Sequence, residues 1–236
     1  MNQLLSEAGT VIFEGAQGVL LDENWGFHPY TTWSNTTADN AETLLSEAEY
    51  TDQVTRIGLV RSYATRHGAG PFVTEDSELS KLLPEPHNNH NPWQHGFRVG
   101  AFDDVAIRYA LQASGGIDFL AVSHLDRLSA MPGGQRCVGY RYKDSVAAHR
   151  LCQLDTSGKI IRLKLGRKKD REYRSELTNL LLGCKPVYNP RHQDVGVKAT
   201  CRFLSELEEA LEVPIGLTSH GPTALDKTLE AMSLAA

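Results

Sequence analysis

Short apolar runs that end in small or polar residues recur along the chain. Their β-branched and aromatic residues predict strands at 10–14, 54–65, 117–122 and 213–218. Glycine-rich or polar junctions follow these strands, at 15–18, 66–70, 123–126 and 219–222. Because ligands of open α/β sheets bind beyond the carboxyl ends of the strands, we expect these four junctions to share one crevice.

Helical periodicity separates the strands. Apolar positions three and four residues apart predict a helix from Asp103 to the Gly115-Gly116 pair, and further helices at about 38–50, 170–182 and 197–211. Short alternating runs predict a small antiparallel β region at about 136–165, with a hairpin turn at 155–159. The stretch 66–100 has no clear periodicity and is predicted to be a long loop. The pattern therefore predicts an α/β fold, a mostly parallel sheet with flanking helices, in a single domain over 1–236.

Charge and composition narrow the class of protein. The 236 residues carry a formal net charge of −5, with lysine and arginine scattered, so no nucleic-acid or membrane partner is expected. No run of about 18 apolar residues occurs, and the first residues lack signal-peptide features, so a soluble cytoplasmic protein is expected. Wide spacing of the cysteines favours buried free thiols over a metal cluster or redox pair. They are Cys137, Cys152, Cys184 and Cys201.

The junction at 123–126, SHLD, has an interpretable chemical role. Asp126 stands two residues after His124, a side chain that could lie over a purine ring. A carboxylate there could accept hydrogen bonds from the N1–H and 2-amino groups of guanine, which adenine lacks. A turn cap is the alternative role for Asp126. The 219–222 junction, SHGP, could flank the same base or be a plain loop.

Other polar side chains near the junctions suit the edges and phosphate of a nucleotide. Gln17 could contact a base or sugar, or hydrogen-bond its own turn. Thr32 and Asn35 suit phosphate or hydroxyl contacts, and capping explains them equally well. Arg66 and Arg98 could bind a phosphate or carboxylate through the guanidinium fork, or be solvated surface residues.

Two further features concern metal and phosphate binding. The compact spacing of His87, His90 and His95 permits a zinc site, but no cysteine is near and the loop is rich in proline and asparagine. Surface histidines or substrate contacts are favoured, and no metal site is predicted. The chain has no G-x-x-x-x-G-K-[ST] segment, and its one Gly-Lys pair, Gly158-Lys159, falls in the predicted hairpin.

Several segments resemble the signatures of a known family, adenylosuccinate synthetase. Residues 13–22 (FEGAQGVLLD) and 29–38 (PYTTWSNTTA) are similar to that family's FEGAQGTLLD…PYVTSSNTTA. Residues 63–75, YATRHGAGPFVTE, resemble its Y-x-T-R-x-G-x-G-P-F-x-T-E block. Shorter matches are RVGAFD at 98–103 to R-x-G-W-x-D, SHLD to T-K-L-D, and SHGP to S-T-G-P. The resemblance spans nearly the whole of this chain, but it covers only about the C-terminal half of the family's protein.

The resemblance implies a P-loop-NTPase-like fold and a GTP- and Mg²⁺-dependent ligase of purine biosynthesis, which joins IMP to L-aspartate. It implies IMP contacts from Gln17, Thr32 and Asn35. GTP contacts would come from Arg98, His124, Asp126, Ser219 and Gly221. His95 and Arg98 would lie in the amino-acid substrate loop, and a homo-oligomer, most simply a dimer, is expected.

The sequence also departs from the family pattern. The family's G-D-E-G-K-G-K loop, with its general base and catalytic histidine, belongs to the half without a counterpart here. Its Thr-Thr-Gly-Arg stretch is replaced by NPWQHGF at 91–97, its lysine over the guanine by His124, and the arginine after S-T-G-P by Ala224. We therefore expect a ligase-like nucleotide-binding chain that needs a separate N-terminal-half polypeptide for turnover. A divergent ligase with another amino donor and a non-catalytic regulatory homologue are the alternatives.

Overall fold

The computed structural model describes residues 2–7, 9–85, 88, 90, 92–93, 95–131 and 134–230. Its helices are α1 (Asn2–Ser6), α2 (Asp39–Glu47), α3 (Ser77–Leu82), α4 (Asp104–Ala113), α5 (Ser145–Leu151), α6 (Arg171–Leu182) and α7 (Gly196–Leu211). Its strands are β1 (Ile57–Arg61), β2 (Ala64–His67), β3 (Phe97–Gly100), β4 (Phe102–Asp103), β5 (Phe119–Ser123), β6 (Arg136–Arg141), β7 (Cys152–Leu154), β8 (Ile160–Leu163), β9 (Lys185–Tyr188), β10 (Ile215–Ser219) and β11 (Lys227–Leu229).

One sheet brings three of the predicted strands side by side, in the order β1-β5-β10-β11. β1 and β10 run parallel to β5, and β11 is antiparallel to β10 at the far edge. The register pairs Arg61 with Ser123, and Thr218 with Val122. The carboxyl ends of β1, β5 and β10 therefore lie at the same edge, and the predicted mostly parallel sheet with flanking helices is confirmed.

Helix α7 covers one face of this sheet. Its apolar stripe places Phe203 and Leu207 in one buried cluster with Leu120 and Val122 of β5. Burying a side chain of this size stabilises the fold by roughly 1.5–3 kcal/mol. This packing fixes the strands whose ends carry the polar junctions.

Asp103 caps the amino end of α4, which begins at Asp104, close to the start that the sequence predicts. Its carboxylate accepts hydrogen bonds from the backbone N–H groups of Val105 and Ala106, both at 3.1 Å, which satisfies two donors of the first turn. The other carboxylate oxygen accepts from the Tyr140 hydroxyl at 2.7 Å. The same residue therefore starts the helix and ties it to β6 of a second sheet.

The second sheet has the order β4-β6-β8-β7, with β9 paired to β6. β8 is antiparallel to both β6 and β7, which confirms the antiparallel region predicted at about 136–165. The β7–β8 turn is held by the Asp155 carboxylate, which accepts from the N–H groups of Ser157 at 2.9 Å and Lys159 at 3.0 Å. The Gly158-Lys159 pair lies in this turn, as predicted. The pattern did not predict α5 or β9.

The predicted strand at 10–14 is wrong. The structure assigns no regular element to these residues, which pair with no strand in the described part of the molecule, and Ile12 is 84% exposed. A β-type segment forms a strand only beside another strand that satisfies its backbone groups.

The predicted strand at 54–65 and the predicted loop at 66–100 are also partly wrong. The strand is interrupted at Ser62-Tyr63, where the chain leaves the sheet and continues as β2, antiparallel to β3. α3 lies between them and is capped by Asp76, whose carboxylate accepts from the N–H groups of Glu78 and Leu79. Helix α3 has six residues, too few to give a clear periodic pattern.

The cysteine prediction is confirmed for Cys137 and Cys152, which are buried free thiols. Cys184 is partly buried, and the prediction is wrong for Cys201, which is exposed on α7. Within the described residues, no helix combines the length and the apolar character that a membrane crossing requires.

Candidate functional site

The end of β5 presents Asp126 at the carboxyl edge of the parallel sheet. The chain turns at His124, which has a left-handed φ of 61°, and continues into the 3₁₀ helix Leu125–Ala130. Leu125 and Leu128 anchor this helix in the core. The carboxylate of Asp126 is partly exposed, and its Oδ2 atom lies 3.3 Å from Nε of Arg127. Asp126 thus offers hydrogen-bond acceptors toward solvent at this edge.

Hydrogen bonds around Ser123 define the tautomer of His124. The Ser123 hydroxyl donates its single proton to the carbonyl of Val60 at 3.1 Å. Since Nδ1 of His124 lies 2.9 Å from the same hydroxyl oxygen, Nδ1 must be the donor. Burial, with the nearby positive charge of Arg61, lowers the pKa of His124 below its ordinary value. His124 is therefore a neutral ring with Nε2 as an acceptor.

The junction after β10 lies beside the one after β5. Ser219 is buried, and its hydroxyl donates to the carbonyl of Gly221 at 3.2 Å. The Lys227 amine donates to the same carbonyl at 2.7 Å. A Cβ atom at Gly221 would lie 2.7 Å from the carboxyl carbon of Asp226, so a larger residue there would displace this side chain. Because β5 and β10 are parallel neighbours, the structure brings this loop and the SHLD junction to one edge.

A polar cluster after β1 completes this edge of the sheet. The Ser62 hydroxyl donates to the carbonyl of His124 at 2.7 Å, and the Tyr63 ring packs edge-on against the His124 ring at 5.6 Å between centroids. The Tyr63 hydroxyl donates to Glu85, which also accepts from Arg61 at 2.8 Å. Sequence reasoning did not identify Glu85. The sequence offers only one signal for it, a charged residue between two prolines in a segment predicted to be a loop.

Asp22 organises the two halves of the first signature segment. Its buried carboxylate accepts from the N–H groups of Asn24 at 2.7 Å, Trp25 at 3.0 Å and Thr36 at 2.7 Å. It therefore holds the 29–37 loop against the turn that follows Gly18. Sequence reasoning did not single out Asp22, although an acidic residue directly after an apolar run was a visible signal.

The predicted IMP residues lie on this same loop region. Gln17 and Thr32 are exposed, and the Thr32 hydroxyl is 3.4 Å from the Ser34 hydroxyl. The side chain of Asn35 hydrogen-bonds to neighbouring residues. Its amide oxygen accepts from the N–H of Thr37 at 2.8 Å, and its amide nitrogen donates to Asp39 at 3.1 Å. The contacts of Asn35 favour the capping role over a free ligand contact.

Arg66 joins the two signature segments. It is buried, and it donates to the carbonyls of Tyr30 at 3.0 Å and Ala69 at 3.1 Å. A Cβ atom at Gly70 would lie 2.5 Å from the Arg66 guanidinium, which explains why glycine stands there, at a left-handed φ of 106°. Burial, with the positive charge of Arg98, lowers the pKa of Arg66 to about 10.

Arg98 lies opposite Arg66, on β3. Its guanidinium donates to the carbonyl of Gly70 at 3.0 Å and to the carboxylate of Glu75 at 2.7 Å. The charge of Arg98 is therefore already paired with a carboxylate.

The histidines of the predicted loop are not assembled into a metal site in the described part of the chain. His95 is exposed with a left-handed φ of 58°, and its ring centroid lies 6.2 Å from that of His90. His87 lies outside the described residues. Among the residues that are described, no group of three or more His, Cys, Asp or Glu side chains could hold a metal ion.

Comparison of the amino-acid sequence with known proteins identifies relatives that match nearly all of this chain. The adenylosuccinate synthetase family model matches residues 1–228. Adenylosuccinate synthetase of Desulforamulus reducens is 35% identical, over 94% of this chain and 49% of its own length. The enzyme of Thioalkalivibrio sulfidiphilus is 32% identical with the same coverage.

The fold has a counterpart among solved structures. Fully ligated adenylosuccinate synthetase from Plasmodium falciparum matches with a TM-score of 0.65 at 23% identity, over 92% of this chain and 49% of that one. This chain therefore shares the P-loop-like fold of that protein over the matched residues. The chain spans about half the length of the relatives that it matches. On the match across residues 1–228, the chain belongs to the adenylosuccinate synthetase family, whose members are GTP-dependent ligases of purine biosynthesis.

Proposed function

We propose that this chain is the purine-nucleotide-binding portion of a GTP-dependent C–N ligase that joins IMP to L-aspartate. The observation that carries the proposal is the meeting of two junctions at one sheet edge. His124 and Asp126 follow β5, while Ser219 and Gly221 follow its parallel neighbour β10. Crevices at such edges are the usual ligand sites of parallel sheets.

Selectivity for guanine follows from the acceptor character of Asp126. Its carboxylate would accept from the N1–H and 2-amino groups of guanine, whereas adenine offers no donor at these two positions. The neutral His124 ring would lie over the base, with Ser219 and Gly221 along its other side. Each charge-assisted hydrogen bond of this kind contributes about 1.5–3 kcal/mol, so Asp126 alone could favour GTP over ATP by more than tenfold.

IMP would bind beside Gln17 and Thr32, on the loops that Asp22 and Arg66 hold together. Asn35 would support this loop through its capping contacts rather than touch the nucleotide directly. Arg98 would bind a phosphate or the amino-acid carboxylate, with His95 on the same stretch. The proposed site is therefore built on two loops joined by buried, hydrogen-bonded side chains.

The proposed reaction has two steps. A phosphoryl group passes from GTP to the 6-oxygen of IMP, which releases GDP. The amine of aspartate then forms a bond to C6 and inorganic phosphate leaves, while a base takes the amine proton. Arginine would stabilise the charge of the phosphoryl group. We propose that the general base and the phosphate cradle belong to the half of the relatives that this chain does not match.

Magnesium is implied by the family, but the described side chains do not fit a protein-held magnesium site, since no cluster of three candidate ligands occurs among them. Mg²⁺ often binds through one or two carboxylates together with nucleotide phosphates. A site completed by another polypeptide and GTP would agree with this proposal.

A divergent ligase with another amino donor is the second candidate function. The stretch 91–97, NPWQHGF, replaces the family's Thr-Thr-Gly-Arg stretch and contains an imidazole, that of His95, but no arginine. This difference favours the alternative. A non-catalytic nucleotide-binding role is the third. A cytoplasmic location and a homodimer stay predictions.

Calorimetric titration of the purified chain with IMP, GTP and ATP tests the proposal. We expect binding of IMP and GTP, weaker binding of ATP, and no turnover of GTP with IMP and aspartate by the chain alone. If none of the three nucleotides binds, the proposed nucleotide site is contradicted. Aspartate-dependent cleavage of GTP by the isolated chain would contradict the need for further polypeptide.

A further inference from the structure

Three side chains from separate segments converge on the carboxylate of Glu85, whose side chain is 15% exposed. Its Oε1 atom accepts from the Tyr63 hydroxyl and from the Arg61 guanidinium, the latter at 2.8 Å. Its Oε2 atom accepts from the side-chain amide of Asn88 at 3.2 Å. Burial raises the pKa of Glu85, but the hydrogen bond from Tyr63 and the charge of Arg61 more than offset this. Glu85 is therefore a charged group whose two oxygens both serve other side chains.

The contact with Tyr63 leads to the proposed base-binding ring. Tyr63 is buried, and its ring meets the His124 ring edge-on, with 5.6 Å between centroids and 85° between the ring planes. Such T-shaped pairs are a favoured arrangement of aromatic rings, since a positive ring edge meets a negative ring face. By holding the Tyr63 hydroxyl, Glu85 fixes the ring that limits the movement of His124.

Glu85 also balances charge beside His124. Burial, followed by the positive charge of Arg61, lowers the pKa of His124, whereas the charge of Glu85 raises it. Asp126 raises this pKa as well, and Arg127 lowers it. Loss of the Glu85 charge would leave Arg61 uncompensated and lower the pKa of His124 further.

The contact with Asn88 leads to a second histidine, on the β2–β3 hairpin. Because the amide nitrogen of Asn88 donates to Glu85, its amide oxygen is the atom that lies 3.2 Å from Nε2 of His67. An amide oxygen only accepts, so Nε2 of His67 must carry a proton. The His67 ring packs against the Phe97 ring at 4.7 Å between centroids, and His67 directly follows Arg66 in β2.

We propose that Glu85 is a positioning residue of the nucleotide site. Through Tyr63 it holds the His124 ring where that ring would lie over a guanine base. Through Asn88 it orients His67 beside the arginine pair of the hairpin. The two rings have opposite tautomers, Nδ1–H in His124 and Nε2–H in His67. The effect on a bound nucleotide rests on the proposed function, whereas the positions of the rings do not.

This role separates affinity from selectivity. Every base has a π face, so stacking on a ring tolerates any base. If Glu85 acts by holding the His124 ring against the base, its loss should weaken the binding of GTP and of ATP alike. Loss of the Asp126 carboxylate should instead weaken GTP alone, because that group would read the donors of guanine.

Glu85→Gln gives a specific spectroscopic signature. The oxygen of the new amide can still accept from Tyr63 and Arg61, and its nitrogen then faces the donor nitrogen of Asn88. The Asn88 amide should rotate to offer its oxygen, which turns its nitrogen toward Nε2 of His67. The proton of neutral His67 should then move from Nε2 to Nδ1.

Glu78→Gln is the matched control, since Glu78 is an exposed residue of α3 whose carboxylate pairs with Lys81 at 2.7 Å. Nitrogen NMR of the full chain over a pH series should show two changes in Glu85→Gln alone, a lower His124 pKa and a His67 proton on Nδ1. Calorimetry should show GTP and ATP each binding at least about threefold more weakly, with their affinity ratio changed less than about twofold. Circular dichroism and urea denaturation check that both variants fold.

The proposal is overturned if Glu85→Gln leaves both imidazole signals unchanged, or if Glu78→Gln changes them equally. It is also overturned if the unchanged chain binds GTP and Glu85→Gln binds it equally well, or if Glu85→Gln weakens GTP but not ATP. Failure of the proposed function looks different. If the unchanged chain binds no nucleotide while Glu85→Gln shifts both rings, the positioning of the rings is supported and the proposed function alone is contradicted.

Discussion

Arg66 of β2 lies directly opposite Arg98 of β3, and both guanidinium groups donate to the glycine-rich loop that follows β2. Like charges placed opposite each other on neighbouring strands are destabilising. Here carbonyl oxygens and the Glu75 carboxylate offset the repulsion. The pair concentrates positive charge where the two signature segments meet, in a chain whose net charge is −5.

Arg66→Ala tests whether this link supports the two signature segments and the nucleotide site proposed on them. The change leaves the carbonyls of Tyr30 and Ala69 without their donor, and we expect the free energy of unfolding to fall by about 2–3 kcal/mol. IMP binding should weaken at least about tenfold, about 1.4 kcal/mol. Urea denaturation and calorimetry measure these effects. Arg150→Ala, which removes an exposed ion pair with Glu176, is the control and should cost less than about 1 kcal/mol. Similar losses for both variants would contradict the account.

Asp22→Ala tests the organisation of the 29–37 loop. Removal of a buried carboxylate leaves the N–H groups of Asn24, Trp25 and Thr36 without an acceptor, so we expect a loss of about 3 kcal/mol or more. Limited proteolysis should then cleave within 29–37 faster than in the unchanged chain. Asp52→Ala, at an exposed position, serves as the control. An unchanged cleavage pattern in Asp22→Ala would show that the loop is held by other contacts.

Asp103 predicts a pH dependence of stability. Burial raises the pKa of this carboxyl to about 7, above its unfolded value, even though it accepts hydrogen bonds from Tyr140 and the start of α4. A raised pKa means that the folded state holds the proton more tightly. Stability from this group is therefore fully present below the unfolded pKa and is lost as the pH rises toward and through about 7.

We expect the chain to be more stable at pH 5 than at pH 8, with Asp103 contributing on the order of 2 kcal/mol to the difference. Asp103→Asn keeps an oxygen for the N–H groups of Val105 and Ala106 and removes the titration. Urea denaturation at both pH values should show a smaller difference for the variant. The same difference in both proteins would contradict the assignment.

His124 predicts a tautomer that nitrogen NMR can detect. The Ser123 hydroxyl donates its proton to the Val60 carbonyl and can only accept from His124. The proton of the neutral ring should therefore reside on Nδ1. Because its pKa is lowered, the stability contribution of this ring is present at neutral pH and is lost as the pH falls through the folded pKa. Ser123→Ala should remove the tautomer preference. A proton on Nε2 in the unchanged chain would contradict the hydrogen-bond assignment.

Elements with their own local signals were predictable from the sequence. α4 was predictable because Asp103 and Asp104 precede a regular apolar stripe, and α7 because Phe203 and Leu207 share one face. The β7–β8 turn was predictable from Asp155, whose short side chain can accept hydrogen bonds from the turn backbone, and from Gly158, which adopts a positive φ. In each case the residues that decide the structure lie within a few positions of one another.

Features that depend on distant partners were not predictable. Residues 10–14 have strand-like composition but no strand beside them in the described chain, so composition alone gave the wrong element. Asp22 contacts Thr36, and Glu85 contacts Tyr63 and Arg61, over separations of 14 to 24 residues. The capping contacts of Asn35, by contrast, were one of two equal alternatives that local sequence could not separate.

Titration of the chain with GTP and with ATP, repeated with Asp126→Asn, tests the central claim most directly. We expect GTP to bind at least about tenfold more tightly than ATP, since the carboxylate of Asp126 would accept from two donors that adenine lacks. Asp126→Asn, which replaces one acceptor by a donor, should remove most of this preference with little effect on folding. Equal affinities of the unchanged chain for GTP and ATP, or no binding of either, would contradict a guanine-nucleotide site at this edge of the sheet.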